Sequence, residues 1–317
     1  MSDLNKRKLI VLTGPTAVGK TELSINVANK LNGSIISADS IQIYKYMDIG
    51  SAKITKDEMK GIKHYLIDEL MPDEEFNIYV FQKLAKNAMN EIYSEGKIPI
   101  ITGGTGFYIQ SLLYDIDFTE ENNDYGYRHM LEKEAEEKGT EYLHKLLRKV
   151  DPQSADSIHM NNVKRVIRAL EFYKETGEKF SEHNAKQKEK TSPYDFKYYV
   201  LNRDRNTLYD RIDKRIDIML EQGLVKEVEN LLNMGYDRNL VSMQGLGYKE
   251  IATYLEGECS LDEAIYILKR DTRHFAKRQI TWFRREKSVI WINYEDYDND
   301  IEKITKRIID DEEGKNV

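Results

Sequence analysis

The stretch Gly14-Pro15-Thr16-Ala17-Val18-Gly19-Lys20-Thr21 has the glycine, lysine and threonine spacing of a P-loop. It follows an apolar run at 9–12 and precedes residues 20–31, whose apolar spacing predicts a helix. In a P-loop the backbone N–H groups, the helix N-terminus and the lysine ammonium all point at one anion. The stretch therefore predicts an ATP-like nucleotide or diphosphate site, with the Thr21 hydroxyl placed to bind Mg²⁺.

Strand and helix patterns alternate through the first third of the chain. Short apolar segments at 9–13, 34–38, 64–68 and 97–102 are separated by segments with helical apolar spacing, such as 76–94. Such alternation indicates an α/β fold in which a parallel sheet carries helices on both faces. With the P-loop after the first strand, we expect the P-loop NTPase type of this fold.

Polar and glycine-rich segments follow the predicted strands. Asp39 comes directly after the strand at 34–38, and Gly103–Thr105 follows the strand at 97–102. Ligands of open parallel sheets collect at the carboxyl ends of the strands. We therefore expect Asp39, Gly103–Thr105 and the P-loop to share one site.

The sequence pattern changes in the middle of the chain. Strand patterns vanish between 116 and 191, and charged helical segments take over at 128–138, 142–149 and 163–176. We interpret 116–191 as a helical insertion domain. The core domain would then consist of 1–115 and 192–317, with a strand returning at 196–201.

The composition excludes several classes of protein. Apolar residues make up 40% of the 317 positions and charged residues 32%, which is typical of a packed protein rather than a disordered one. No apolar run is long enough to span a bilayer, and the N-terminus lacks the apolar core of a signal peptide. The lone Cys259 excludes an internal disulfide and a cysteine-based zinc cluster. We expect a cytoplasmic protein that does not bind a membrane.

A helical segment near the C-terminus carries cations along one face. Arg270, Arg273, Lys277 and Arg284 share one side of the predicted helix at 262–285, and apolar and aromatic residues share the other side. Although the net charge is −7, a face of one sign favours contact with a polyanion over simple solvation.

Arg215 falls inside the apolar stripe of the predicted helix at 206–222. A guanidinium in that setting needs an anionic partner, because burying it alone is costly. The partner is either a bound ligand or a carboxylate of the protein itself, and the sequence does not choose between the two.

The chemistry around the P-loop has more than one interpretation. P-loop kinases usually carry an acid at the end of a neighbouring strand, whereas the strand at 97–102 ends in Gly-Gly-Thr-Gly. Asp39 could hold the metal, cap a helix or act as a general base. The P-loop could therefore bind a diphosphate that is the leaving group of the reaction. Alternatively, it could bind the nucleotide of a kinase that acts on a small metabolite.

The chain resembles the bacterial tRNA dimethylallyltransferases (tRNA isopentenyltransferases) almost from end to end. The motifs that carry the resemblance are Gly14–Thr21, Asp39–Tyr44, Gly50–Lys53, His64–Asp68, Gly103–Tyr108, Asp151-Pro152, Asn162–Glu171, Arg211–Arg215, Gly245–Glu250 and Thr272–Arg284. Departures are mild: Ile41 stands where Met is usual, and Phe107 where Leu is common. The zinc finger of the eukaryotic relatives is missing, in line with the cysteine count.

The resemblance implies a reaction. A dimethylallyl group would pass from dimethylallyl diphosphate to the exocyclic N6 amine of the adenosine 3′ of the anticodon, in tRNAs reading codons that begin with U. Mg²⁺ would be the cofactor, and the insertion domain would grip the anticodon stem-loop of the tRNA. The enzyme would act as a monomer. A related prenyltransferase that acts on free adenine nucleotides is an alternative, but it would not need the insertion.

The resemblance also implies roles for residues. Gly14, Pro15, Thr16, Ala17, Val18, Gly19, Lys20 and Thr21 would hold the diphosphate, with Thr16 and Lys20 as catalytic contacts and Thr21 on the metal. Asp39 would be the general base, and Arg215 would stabilise the departing diphosphate. The tRNA would be contacted by Asp39, Ser40, Ile41, Gln42, Thr105, Arg128, Lys164, Arg165, Val166, Ile167 and Arg168, and on the cationic helix by Arg273 and Lys277.

Overall fold

The computed structural model describes residues 6–118 and 125–315. Its strands form one six-stranded sheet in which each neighbouring pair is parallel, which confirms the predicted α/β class. In chain order the strands are β1 (Arg7–Thr13), β2 (Gly33–Ala38), β3 (His64–Tyr65), β4 (Ile98–Gly103), β5 (Tyr194–Asn202) and β6 (Val289–Asn293). Their order across the sheet is β3-β2-β4-β1-β5-β6.

The chain divides into two compact units, Met1–Leu113 with Pro193–Val317, and Tyr114–Ser192. The first unit, called the sheet unit, contains the sheet and α1 (Lys20–Leu31), α2 (Ile78–Ser94), α3 (Gly106–Leu113), α9 (Arg205–Glu221), α10 (Leu224–Asn233), α11 (Tyr248–Leu255), α12 (Leu261–Phe283) and α13 (Ile301–Glu312). The second, called the helical unit, contains α4 (Tyr125–Lys138), α5 (Thr140–Val150), α6 (Pro152–Ser157), α7 (Val163–Thr176) and α8 (Phe180–Lys188).

The central strands of the sheet end level with one another. Thr13 of β1 and Ala38 of β2 are both in register with Gly103 of β4. The Thr13 hydroxyl donates to the Gly103 carbonyl at 2.6 Å, and a Cβ on Gly103 would lie 2.3 Å from the Ala38 carbonyl oxygen. The loops that begin at Gly14, Asp39 and Gly104 therefore start side by side, as the sequence predicts.

The helical unit has a core of its own. Side chains from α4 to α7 pack together there, including Leu143 and Leu147 of α5. Asp151, 1% exposed, caps α6 by accepting from the Ser154 N–H and also accepts from the N–H and hydroxyl of Ser181. These bonds fix the turn between α5 and α6 to α8.

The sequence patterns did not predict β6 and α13. β6 has only five residues, and its short apolar run Val289–Ile292 does not distinguish a strand from a segment of buried helix. Within the described residues, no helix is long and apolar enough to cross a lipid bilayer.

Candidate active site

The P-loop makes a tight turn at the end of β1. Gly14 and Gly19 have φ angles of 149° and 114°, which strain any other residue. A Cβ on Gly14 would also lie 2.6 Å from the Leu201 carbonyl oxygen. No side chain caps the start of α1, so its first N–H groups have no side-chain acceptor. Free N–H groups at the start of a helix form an anion-binding site, because a bound anion accepts their hydrogen bonds.

The Lys20 ammonium folds back over the P-loop. Its Nζ donates to the Gly14 and Pro15 carbonyls at 3.0 and 2.8 Å. Burial and the nearby Arg215 guanidinium lower the pKa of Lys20 to about 7, while the Asp39 carboxylate acts in the opposite direction. A bound diphosphate would supply the negative charge that keeps this ammonium protonated.

Side chains that the sequence did not single out hold the P-loop from outside. Arg203 Nε donates to the Val18 carbonyl at 2.9 Å, and Arg211 Nε donates to the Ala17 carbonyl at 2.8 Å. The Arg203 guanidinium lies 3.5 Å from the ring centroid of Tyr294. These two carbonyls of the P-loop therefore point outward, toward the arginines, and the inner face of the loop presents N–H groups.

Asp39 lies at the end of β2, where its carboxylate lines a cleft with Thr16 and Arg215. Its Oδ1 accepts from the Ile41 and Gln42 N–H groups at 2.9 and 3.3 Å. Asp39 thus caps a turn rather than a helix. Both bonds involve Oδ1, so a role as base remains open to Oδ2.

Arg215 lies on α9 between the buried Ile212 and Ile216. Burial lowers the pKa of its guanidinium, and the charge of Asp39 opposes that shift. Among the described residues, no carboxylate lies within 4.0 Å of Arg215. The described residues therefore do not form the internal ion pair that was one of the two alternatives, although the charges of Asp39 and Glu58 act on Arg215 from a greater distance.

The loop after Asp39 is braced from within. Gln42 accepts from the Ser37 hydroxyl at 3.2 Å and donates to the Ser51 and Ala52 carbonyls at 3.2 and 3.3 Å. Both ends of the Gln42 amide are therefore hydrogen-bonded within the protein. A contact between Gln42 and tRNA, as predicted from the sequence, would have to form in addition to these bonds or replace one of them. Ser40 and Ile41 are half-buried and line the cleft.

A second loop of the cleft is held by Glu227 of α10. Its carboxylate accepts from three successive N–H groups, those of Asp48, Ile49 and Gly50, at 2.7 to 3.0 Å. The Tyr248 hydroxyl donates to the same carboxylate at 2.8 Å, and a Cβ on Gly50 would lie 2.7 Å from the Tyr248 ring. The motifs at 50–53 and 245–250 therefore meet, through a glutamate that no motif contains.

The cleft has a volume of about 410 Å³. Its polar lining includes Thr16 of the P-loop, Asp39, Thr105 and Arg215, and also Lys249, Thr272 and Arg278. Its apolar lining consists of side chains from several elements, among them Ile212, Ile216, Met219, Val241, Leu246, Leu268 and Phe275. A lining with both charged and apolar side chains suits a ligand with a charged head and a hydrocarbon tail.

Gln279 of α12 connects two of the loops. It is 5% exposed, and its Oε1 accepts from the Thr16 N–H at 2.9 Å while its Nε2 donates to the Gly104 carbonyl at 2.9 Å. A helical wheel could have found it, because it lies about 180° from Arg270, within the apolar face of α12.

The cationic face of α12 is partly neutralised by α9. Arg273 Nη1 donates to both carboxylate oxygens of Asp213 at 2.7 and 2.8 Å, and Lys269 pairs with Asp217 at 2.5 Å. Lys277 is exposed and lines a second cavity, of about 390 Å³, with other basic and aromatic residues of the helix. Because of these ion pairs, fewer cations of α12 carry an unbalanced charge than the sequence pattern predicted.

In the helical unit, the predicted tRNA contacts divide by burial. Lys164 and Arg165 are exposed and Arg168 is half-buried on α7. Val166 and Ile167 are only 0% and 3% exposed and belong to the core, so their side chains offer no surface to an RNA. The expectation for these two residues is corrected accordingly, because residues 166, 167, 169 and 170 have the i, i+3, i+4 spacing of one helix face, and that face of α7 is buried in the core.

Arg128 of α4 has a protein partner. Its Nε and Nη2 donate to the two carboxylate oxygens of Glu171 at 2.9 and 2.8 Å. Glu171 is 7% exposed, so the pair lies at the edge of the unit's core. A bidentate pair holds the guanidinium in one orientation.

The donor set suits a magnesium ion bound mainly by substrate. Among the described residues, no group of three or more His, Cys, Asp or Glu side chains could hold a metal. Thr21 is exposed at the start of α1 and offers a hydroxyl oxygen. Mg²⁺ commonly binds through one or two protein oxygens, phosphate oxygens and water, so Thr21 and a bound diphosphate are sufficient.

Comparisons with curated proteins identify close relatives. The chain is 60% identical over 300 residues to a tRNA dimethylallyltransferase of Lachnoclostridium phytofermentans, covering 95% of this chain and 96% of the relative. It is 56% identical over 300 residues to the tRNA dimethylallyltransferase of Acetivibrio thermocellus, with the same coverage.

Solved structures agree in fold. A tRNA isopentenylpyrophosphate transferase of Bacillus halodurans has 42% identity and a TM-score of 0.72, covering 98% of both chains. A eukaryotic dimethylallyltransferase acting on tRNA has 31% identity and a TM-score of 0.79, covering 90% of this chain and 74% of its own. The profile of the IPP transferase family matches residues 42–286. The chain therefore belongs to the IPP transferase family.

Proposed function

We propose that this protein transfers a dimethylallyl group from dimethylallyl diphosphate to the N6 amine of the adenosine 3′ of the anticodon, in tRNAs reading codons that begin with U. The observation that carries the proposal is the single cleft lined by Asp39, Thr16 and an arginine, Arg215, that no described carboxylate pairs. The names of the relatives, and the tRNA named with the eukaryotic neighbour, support the same reaction.

The groups in the cleft match the bonds that change. The C1–O bond of the donor breaks, diphosphate leaves with the electron pair, and N6 of adenine forms a bond to C1. An exocyclic adenine amine is a weak nucleophile, so charge builds on the diphosphate before attack. Lys20, Arg215 and the P-loop N–H groups would stabilise that charge, and Asp39 would take the N6 proton.

The apolar side chains of the cleft wall would give the donor its second contact. Ile212, Ile216 and Phe275 line the cleft and would cover a short hydrocarbon tail and exclude water from the ionised carbon. A kinase acting on a small polar metabolite would have less use for such a wall. The end of β4 in Gly103-Gly104 also lacks the metal-binding acid that phosphoryl transfer usually employs.

Binding of tRNA would use basic residues of both units. Lys277 on α12 and Lys164 and Arg165 on α7 are exposed and can reach phosphates. The target adenosine would leave its stack to reach Asp39, at a cost of about a few kcal/mol that is lower in a loop. Thr105, which lines the cleft, would contact the extruded nucleotide.

Mg²⁺ would be held by the Thr21 hydroxyl and the donor diphosphate, where it supplies further positive charge to the leaving group. We also propose a cytoplasmic monomer. Sedimentation at several protein concentrations tests the monomer, because a dimer would shift toward higher mass as concentration rises.

The decisive experiment is a nucleoside assay. Purified protein is incubated with dimethylallyl diphosphate, Mg²⁺ and unmodified tRNA, and the digested nucleosides are analysed by mass spectrometry. We expect dimethylallyl adenosine only when tRNA is the acceptor. Equal product on AMP would indicate the adenine-nucleotide prenyltransferase instead. Release of ADP from ATP, without prenylation, would indicate a kinase.

A further inference from the structure

Gln279 is a buried polar side chain that the proposed reaction does not use. It lies on α12 among apolar neighbours and is 5% exposed, so its amide must be fully bonded to avoid a desolvation cost. The structure provides a partner for each end of the amide: the Thr16 N–H for Oε1 and the Gly104 carbonyl for Nε2, both at 2.9 Å.

These partners belong to two different loops of the cleft. Thr16 is in the P-loop, and Gly104 directly precedes Thr105 in the loop after β4. A Cβ on Gly104 would lie 2.1 Å from Gln279 Nε2, so any other residue at position 104 would displace the Gln279 amide. The amide therefore sets the spacing between the diphosphate loop and the loop proposed to contact the acceptor nucleotide.

The bond to Thr16 also changes how the P-loop can bind its anion. Because the Thr16 N–H is occupied by Gln279, the diphosphate contact of Thr16 falls to its hydroxyl, and the N–H groups nearer Lys20 take up the phosphate oxygens. Gln279 thereby fixes the peptide plane at the entrance of the loop.

Helix α12 is itself anchored to the helix that carries Arg215. Arg273 pairs with Asp213, and Lys269 pairs with Asp217, both on α9. One rigid helix thus joins α9, the P-loop and the Gly104 loop. We infer that Gln279 is a positioning residue that holds the donor cradle and the acceptor loop in register; this rests on the proposed function.

The test uses Gln279→Met, which keeps the length of the side chain and removes both hydrogen bonds. We expect kcat to fall on the order of 10- to 100-fold, because small misplacements of reacting groups cost rate steeply. We expect the Kd for tRNA to stay within about twofold of wild type, since no RNA contact is removed. Gln222→Met, an exposed glutamine at the end of α9, is the control and should leave both unchanged.

A second variant approaches the same contact from the other side. Gly104→Ala should displace the Gln279 amide and lower kcat similarly. If both act through one contact, the double variant should lose little more than either single variant. Additive losses, an unchanged kcat in Gln279→Met, or a tRNA affinity that falls as far as kcat would overturn the inference. Should Gln279→Met fail to fold, Gly104→Ala carries the test alone.

Titration with magnesium pyrophosphate separates this inference from the function it rests on. Pyrophosphate binding needs the P-loop but no prenyl transfer, and we expect Gln279→Met to weaken it on the order of tenfold through the displaced loop. A wild-type protein that binds pyrophosphate but makes no dimethylallyl adenosine would overturn the proposed function. Equal pyrophosphate affinity in wild type and Gln279→Met would overturn the inference alone.

Discussion

Two partly buried arginines, one in each unit, differ in what balances their charge. Arg128 of the helical unit is held by both oxygens of Glu171 at 2.9 and 2.8 Å. Arg215 of the sheet unit has no carboxylate within 4.0 Å among the described residues, although it lies between buried isoleucines. The first guanidinium has an ion-pair partner within the protein, and for the second we propose a ligand as the partner.

An arginine can stabilise the fold through an ion pair or bind an anionic ligand, and the sequence alone did not show which of the two applies to Arg128 and Arg215. A paired arginine contributes orientation and stability to the fold, whereas an unpaired one retains a desolvation cost that a bound anion removes. Under the proposed function, binding of the diphosphate would remove this desolvation cost at Arg215 and so add to its affinity.

The largest expected effect is at Asp39, the anion that acts on Arg215 without pairing with it. Asp39→Ala should lower kcat on the order of 10²- to 10⁴-fold, the usual contribution of a general base, with the Kd for tRNA nearly unchanged. Asp39→Asn keeps an oxygen for the Ile41 and Gln42 N–H groups and removes only the base. If Asp39→Asn turned over at the wild-type rate, Asp39 would not be the base.

Arg215→Gln comes next. Removing one preorganised contact to the leaving diphosphate should lower kcat on the order of 10²- to 10³-fold in single-turnover assays. The unfolding free energy should stay the same or rise, because an unpaired cation is removed from an apolar site. A large loss of stability would mean that Arg215 is paired inside the protein, as Arg128 is, and the comparison would fail.

The pH dependence of diphosphate binding reports on the same cluster. With the Lys20 pKa at about 7, the free protein is losing that proton as pH rises through neutrality. A diphosphate prefers the protonated form, so its affinity should fall with rising pH above this value, by up to about tenfold per pH unit. Calorimetric titration with pyrophosphate from pH 6 to 9 measures it, after subtracting the Lys20→Met variant to remove titration of pyrophosphate itself.

Arg215→Gln sharpens the pH prediction. The Arg215 charge lowers the pKa of Lys20, so its removal should move the inflection to higher pH. An inflection that stays in place would show that the Arg215 charge does not contribute to the pKa of Lys20.

A smaller, purely structural effect is expected in the helical unit. Arg128→Gln leaves the Glu171 carboxylate without its ion pair and should lower the unfolding free energy by about 1–3 kcal/mol in denaturant titrations. The double variant with Glu171→Gln should recover part of that loss. If stability is unchanged and tRNA affinity drops, Arg128 serves the RNA instead, as the resemblance implies.

The smallest effect is expected at Arg273. Arg273→Ala should weaken tRNA binding and reduce the slope of log Kd against log salt by about one if the residue meets a phosphate. Asp213→Asn, which removes its partner, should leave that slope intact. An unchanged slope in Arg273→Ala would assign the residue to the packing of α12 against α9.

The fold was predictable because local patterns were strong. Helix α7 begins after Asn162, which caps it, and ends at Gly177 with a φ of 71°, so the predicted bounds 163–176 are confirmed. Helix α1 likewise has the predicted bounds 20–31. The short strand β6 offers only the four-residue apolar run Val289–Ile292, which does not distinguish a strand from a segment of buried helix.

The site was predictable only where one residue type implies one chemistry. Arg215 and the P-loop stood out as patterns within a single helix or loop. The partners of Glu227, Gln279 and Arg273 are distant in sequence, and only the folded chain shows which backbone groups or carboxylates they meet. Val166 and Ile167 were assigned to the interface because a contiguous motif was carried over whole, and helical periodicity argues against that.

The grip of Glu227 on the loop at 48–50 has a consequence for free anions. Three successive N–H groups form a concave receptor there, comparable in kind to the P-loop, but a tethered carboxylate already occupies it. Tethering gives that carboxylate an effective concentration in the millimolar range or above, which buffer ions must outcompete. We therefore expect sulfate or inorganic phosphate not to bind at residues 48–50, and to compete with pyrophosphate for the P-loop.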